Sequence, residues 1–208
     1  MTVAPVAAVL DYDAGNVRSA KRGLEAAGAR AIVTSDAAEA QRADVLVIPG
    51  VGHFGSCLAR LRAGGLVDVV RGFIDDARPV LGICVGMQLL YATSEEAEEP
   101  GLGLLPGRVV RFPSDAVVPH MGWDVIVPVD GHADDRLLAG ISGERAYFAH
   151  SYFAVPADPT HVVADCDYGG RGFPCIVREG SVVGTQFHPE KSGRVGARLL
   201  ENWLAGLA

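Results

Sequence analysis

The chain has no cluster of lysine and arginine, no C-x-x-C pair and no apolar run of membrane-spanning length. With a formal charge of −7 over 208 residues, the missing basic patch speaks against nucleic acid or an anionic membrane surface as a partner. The four cysteines, Cys57, Cys84, Cys166 and Cys175, lack the paired spacing of a zinc site or a dithiol redox centre. In a reducing compartment they stay thiols. The first residues show neither the cationic start nor the long apolar stretch of a secretory signal, so the cytoplasm is the expected location. No linker, repeat or low-complexity stretch divides the sequence, and its length suffices for one substantial core. One domain, 1–208, is expected. The acidic run Glu95-Glu96-Ala97-Glu98-Glu99 reads as a solvated helix end and loop.

Periodicity points to an α/β fold with a mostly parallel central sheet flanked by helices and additional antiparallel strands in the second half. Strands are expected at 7–10, 30–34, 44–48 and leading into Cys84, with helices near 17–27, 56–61 and 66–76 between them. The later half reads as strands at 108–112, 124–127, 145–155, 162–166, 175–178 and 182–187, closed by a helix near 194–204. In that helix Val195, Leu199 and Trp203 recur at i, i+4 and i+8, a buried stripe. Ligands of such a sheet gather at the C-terminal edge of its strands.

Cys84 lies at that edge. It sits in Gly82-Ile83-Cys84-Val85-Gly86-Met87-Gln88, after the apolar Pro79-Val80-Leu81 and before the helix-like Met87-Gln88-Leu89-Leu90-Tyr91. A strand, a sharp turn and a helix present a thiol at the apex, and the flanking glycines allow strained dihedrals and close backbone approach. A helix N-terminus beside sulfur favours the thiolate, the attacking form. Taken alone the stretch fits an inert core cysteine equally well.

A nucleophilic cysteine needs a base, and Gln186-Phe187-His188-Pro189-Glu190-Lys191-Ser192 supplies one. Proline keeps His188 extended, so Glu190 two residues on can point to the same side and orient the ring. That matches a Cys-His-acid triad. A third element, Pro49-Gly50-Val51-Gly52 after the strand 44–48, offers backbone N–H groups from Gly50, Val51 and Gly52 for a developing oxyanion. The Val85 N–H is the natural second donor. By itself the segment also fits an ordinary βα loop. Gln88 lies one helical turn beyond Cys84 and can reach a substrate over the sulfur. His53 is a less suitable base, having no acid two residues away.

Together, Gly-Ile-Cys-Val-Gly-Met-Gln at 82–88 and Phe-His-Pro-Glu at 187–190 resemble the triad-class glutamine amidotransferases, which hydrolyse the glutamine amide through a γ-glutamyl thioester. Within that class, five further stretches resemble the glutaminase subunits of imidazole glycerol phosphate synthases in histidine biosynthesis. They are Asp11-Tyr12-Asp13-Ala14-Gly15-Asn16, Pro49-Gly50-Val51-Gly52-His53-Phe54-Gly55, His120-Met121-Gly122-Trp123-Asp124, His150-Ser151-Tyr152-Phe153 and Phe187-His188-Pro189-Glu190-Lys191-Ser192. The resemblance covers the whole chain. It implies that Gln88, Glu96 and the Ser151-Tyr152 backbone hold the α-amino and α-carboxylate groups of glutamine, with Gly52 near its amide. It implies no cofactor and no metal. The partner it implies is a separate cyclase subunit, a (β/α)8 barrel forming a heterodimer, with Asn16, Met121, Trp123, Tyr147 and Lys191 facing or gating the interface. Three positions depart from the pattern: Asp13 stands where glycine is expected, Val85 where leucine is usual, and Asp124 where asparagine is usual. Two alternatives remain: a glutaminase serving vitamin B6, purine or folate synthesis, and a non-catalytic binding module on the same fold.

Overall fold

A computed structural model describes residues 4–207. Five parallel strands carry the centre: β1 (Val6–Leu10), β2 (Arg30–Thr34), β3 (Val45–Gly50), β4 (Val80–Cys84) and, from the far end of the chain, β13 (Val182–Thr185). The sheet has eight strands in the order β2-β1-β3-β4-β13-β12-β11-β8, where β12 (Gly172–Glu179), β11 (Val162–Asp167) and β8 (Val127–Pro128) join antiparallel. β3 and β4 are buried at every position, as parallel strands covered on both faces must be.

Helices α1 (Val17–Ala26), α2 (Ala37–Gln41), α3 (Phe54–Ala63) and α4 (Val67–Asp75) connect the first strands, α5 (Val85–Gln88) follows β4, and α6 (Gly193–Ala205) closes the chain. α1 packs against α6 and against the 3-10 turn Pro189–Lys191. The stripe expected on α6 is present: Val195, Leu199 and Trp203 are buried. No helix among the described residues is long and apolar enough to cross a membrane.

The structure departs from the sequence reading in several places. The short α2 lacks an apolar face to announce it and is held by Asp36, whose carboxylate accepts the Ala38 and Glu39 N–H groups. The helix expected at 87–91 stops after Gln88, and Tyr91–Ser94 form strand β5. There the Leu89 and Leu90 carbonyls are taken by the N–H groups of Leu102, Leu104 and Leu105, so competing backbone donors end the helix. Glu95 to Glu99 accordingly follow a strand and not a helix end. The strand expected over 145–155 is two, β9 (Arg145–His150) and β10 (Tyr152–Pro156). At Ser151 the chain crosses between sheets: β9 pairs with β7 (His120–Val125), whereas β10 pairs with β6 (Leu105–Arg111), itself beside β5. β7 begins earlier than the 124–127 expected, and β13 ends at Thr185 and not at 187.

Candidate active site

Three adjacent parallel strands deliver the chemistry. Gly50 pairs with Cys84 across β3 and β4, and Thr185 pairs with Ile83 across β4 and β13. The ends of these strands therefore bring the 50–52 loop, the thiol and the 186–190 segment to one edge of the sheet, the C-terminal edge where α/β sheets take ligands.

Cys84 has φ 53 and ψ −115, a conformation that non-glycine residues occupy at a cost of about 1–3 kcal/mol. Packing imposes it. A Cβ on Gly86 would run into the Ile48 carbonyl, and one on Gly50 into the Gly86 amide nitrogen, so only glycines let the elbow nest this deeply against β3. The sulfur accepts a hydrogen bond from Gln186 Nε2 at 3.5 Å. His188 keeps an extended backbone at φ −99 and ψ 97, as its proline neighbour dictates. Its Nδ1 lies 2.9 Å from Glu190 Oε1. Glu190 reaches the ring from the 3-10 turn Pro189–Lys191, so the expected extended i, i+2 alternation is replaced by a tighter bend with the same partner. The Ser192 hydroxyl donates to the His188 carbonyl at 2.7 Å, and the His188 N–H donates to the Tyr147 carbonyl. The base is thereby fixed at both ends.

Burial, acting alone, would lower the His188 midpoint. It is overridden by the charge and hydrogen bonding of the Cys84 sulfur and then by Glu190, which together push the ring up to about 10. A proton moved from sulfur to this imidazole is thus well held there.

Cys84, Val85, Val51, Gly52, His188, Gln88, Glu96, Ser151, Tyr152 and Lys191 line one pocket of about 180 Å³, joined by Ala149 and His150. A larger groove of about 420 Å³ between Asp135, Arg178 and Asn202 includes Pro79, at the opposite end of β4 from the sulfur. It holds none of the candidate groups. Gly50 is buried beneath the elbow and does not line the pocket. The Val51 carbonyl accepts the Cys57 thiol hydrogen at 3.3 Å, and burial pushes the Cys57 thiol up to about 11, keeping that hydrogen in place. Because the peptide is trans, the Gly52 N–H points the other way, away from α3. His53 is exposed, and its Nδ1 is engaged by the Gly55 N–H as a cap on α3.

Both N–H groups of the Gln88 amide are engaged, one with the Tyr152 carbonyl at 2.9 Å and one with Gln186 Oε1 at 3.0 Å. Gln88 therefore offers the pocket an acceptor oxygen. Glu96 Oε2 accepts the Phe54 N–H at 2.8 Å. The five residues expected at an interface mostly gather beside the pocket mouth. Trp123 and Tyr147 pack edge to face at 5.9 Å, Lys191 sits over the Tyr147 ring at 5.8 Å, and Met121 is 64 % exposed. Asn16 stands at the N-terminal end of α1, with no capping bond from its side chain, and α1 packs on the Pro189–Lys191 turn. Sequence reasoning missed Gln186, His120 and His150 as parts of this site. Gln186 carried a signal, being a polar side chain with no turn role between the buried Thr185 and Phe187; the histidines meet only through cross-strand pairing.

Comparison with known proteins identifies the family. The model of the class-I glutamine amidotransferases matches residues 8–207. The imidazole glycerol phosphate synthase subunit HisH of Halobacterium salinarum is 48 % identical over 204 residues, covering 94 % of this chain and 91 % of the relative. That of Syntrophotalea carbinolica is 47 % identical, covering 94 % and 97 %. Among solved structures, PurLQS from Thermotoga maritima shares the fold with a TM-score of 0.76 at 22 % identity, covering 99 % of this chain and 100 % of that one. The chain belongs to the class-I glutamine amidotransferases, within the family of imidazole glycerol phosphate synthase HisH subunits.

Proposed function

We propose that this chain, as one glutamine amidotransferase domain, is the glutaminase subunit of an imidazole glycerol phosphate synthase in histidine biosynthesis. The observation that carries the reading is Cys84 and His188 lining one pocket, with Glu190 bonded to the far nitrogen of the ring, in a chain with these relatives. His188 takes the Cys84 proton and the sulfur attacks the glutamine amide carbon. The oxyanion rests on N–H groups from the 50–52 loop and Val85, each such donor lowering the barrier by roughly 3 kcal/mol. The carbon–nitrogen bond breaks as His188 returns its proton to the leaving ammonia, and a γ-glutamyl thioester remains. Water, deprotonated by the same ring, cleaves the thioester to glutamate and restores the thiol.

Gln88 Oε1 and Glu96 are both acceptors, suited to the α-ammonium of glutamine, while backbone N–H groups of Ser151 and Tyr152 suit its carboxylate. The product ammonia passes to a cyclase subunit, a (β/α)8 barrel that docks on Asn16, Met121, Trp123, Tyr147 and Lys191. That partner makes imidazole glycerol phosphate and aminoimidazole carboxamide ribotide, in the cytoplasm. Exposed Met121 and Trp123 support a docking face there, since large apolar side chains gathered at a surface mark interaction sites. The partner's nucleotide ligand favours an oxyanion-ready backbone at 50–52, a shift between two populations.

Glutamate release, measured for the chain alone and with the cyclase and its nucleotide, tests the reading. Strong stimulation by that pair is expected. Stimulation only by a synthase of another pathway would replace the histidine assignment, and no hydrolysis with any partner would leave a binding module.

A further inference from the structure

Beneath the pocket runs a buried chain of side chains that the hydrolytic chemistry does not use. His120 on β7 and His150 on β9 are cross-strand partners, and both are buried. Asp124 Oδ2 lies 2.7 Å from His120 Nε2, His120 Nδ1 lies 3.2 Å from His150 Nε2, and His150 Nδ1 lies 2.9 Å from the Tyr152 carbonyl. That same carbonyl accepts the Gln88 N–H. On β7 the chain occupies one face, with His120 and Asp124, while Met121 and Trp123 alternate onto the exposed one.

We propose that Asp124, His120 and His150 form a proton-dependent positioning relay that sets the Tyr152 carbonyl, and through it the Gln88 amide, in the glutamine pocket. The argument is a count of hydrogens. Both ends of the relay, the Asp124 carboxylate and the Tyr152 carbonyl, only accept, so its three contacts need three hydrogens. Two neutral imidazoles supply two, one short. The charged carboxylate is the stronger acceptor, so it takes the His120 Nε2–H. The second hydrogen goes to His120 Nδ1, which has no other donor, whereas the Tyr152 carbonyl already accepts from Gln88. His150 then donates through Nε2, which turns a bare Nδ1 lone pair toward the Tyr152 oxygen. One added proton, making His120 imidazolium, fills all three contacts and returns the Nδ1–H to His150.

His150 does not take that proton itself. Burial lowers its midpoint to about 3, opposed by the Tyr152 carbonyl and reinforced by His120 and His188. His120 is lowered by burial and raised by the hydrogen bond and charge of Asp124, so the relay closes on the acid side of 6.5. The other groups that face it are the Tyr168 ring, stacked on His120 at 4.0 Å, the rings of Phe148, Phe112 and Phe173, and Cys166, which feels the Asp124 charge. None of these carries a positive charge. Asp124 is about one-third exposed, which gives the proton its path.

The inference rests on the pocket binding glutamine, and two readouts separate them. Nitrogen chemical shifts of the histidine rings in the full chain report tautomers whatever the pocket binds. His150 is expected to carry its hydrogen on Nε2 at pH 8.5 and on Nδ1 once the pH has fallen below the His120 midpoint, read from the same spectra, and on Nδ1 throughout in Asp124→Asn, whose amide supplies the missing hydrogen at every pH. In the complex with the cyclase, the glutamine KM of the native chain should rise as pH increases through the His120 midpoint. Asp124→Asn should flatten that limb and lower KM at pH 8.5 by about fivefold, what one neutral hydrogen bond is worth. The relay leaves kcat untouched. A His150 tautomer that is the same on both sides of the His120 midpoint, or a KM profile unchanged by Asp124→Asn, would overturn the relay. Absence of glutamine turnover would sink the glutaminase reading, and the tautomers would then decide the relay alone.

Discussion

At the scale of the residue, the site turns on how His188 is held. Its ring is pushed up to about 10 despite burial, by Cys84 first and Glu190 second. Removing the sulfur should therefore bring the ring back down: in Cys84→Ala the His188 midpoint, followed by NMR, is expected to fall by more than one unit. No change would mean that sulfur and ring are not coupled. Glu190→Gln keeps the shape but replaces a charged acceptor with a neutral amide. It is expected to lower kcat for glutamine hydrolysis by about a hundredfold with little change in KM, because the ring loses orientation and charge stabilisation in the transition state but not substrate contacts. Glu190 Oε2 is buried with no partner, so the carboxylate depends on the His188 contact.

At the scale of the element, the β4–α5 elbow is the demanding part. Gly86→Ala must push the Ile48 carbonyl aside, and overpacking of this kind costs about 1–3 kcal/mol. Urea unfolding is expected to show that loss, with glutaminase activity falling further because Cys84 and the Val85 amide move together. An unperturbed variant would show that the elbow has slack. This element was legible in the sequence only together with His188 and Glu190, since glycines around a cysteine after an apolar strand fit an inert core thiol equally well. Elements set by competing partners were not. The apolar Met87-Gln88-Leu89-Leu90-Tyr91 carries no period that separates helix from strand, and its fate was decided by loop donors from 102–105. Likewise nothing at Ser151 marks the crossing between two sheets. Asp13 was flagged as standing in a glycine position, and it occupies positive φ at 57, the reason a glycine suits that turn.

At the scale of the whole molecule, two buried histidines pull stability in opposite directions. The folded midpoint of His150, about 3, lies below its ordinary 6.5, so its contribution is present above 6.5 and is lost as pH falls from there toward 3. The folded midpoint of His188, about 10, lies above 6.5, so its contribution is present below 6.5 and is lost as pH rises toward 10. Thermal unfolding across pH is expected to show a maximum near 6.5, with the acid limb reduced in His150→Gln if that variant folds. The docking face is tested at this scale too. Trp123→Ala is expected to weaken the cyclase complex by about tenfold or more, as loss of a central aromatic anchor does, while leaving unfolding unchanged. The mostly parallel sheet and the edge that holds the site follow from alternating apolar strands and helices, so they could be read directly, whereas the order of the strands could not. The relay of His120 and His150 could not, because its members meet only once β7 and β9 pair.

The central claim is that Cys84 carries the glutamyl group. Acid quenching of the chain during glutamine turnover with its cyclase, followed by intact-mass and peptide mapping, reads this directly. A glutamyl adduct on the Cys84 peptide, absent in Cys84→Ala together with at least about a thousandfold loss of glutamate release, is the expected result. Glutamate released at an unchanged rate by Cys84→Ala, or an adduct on another residue, would contradict the account.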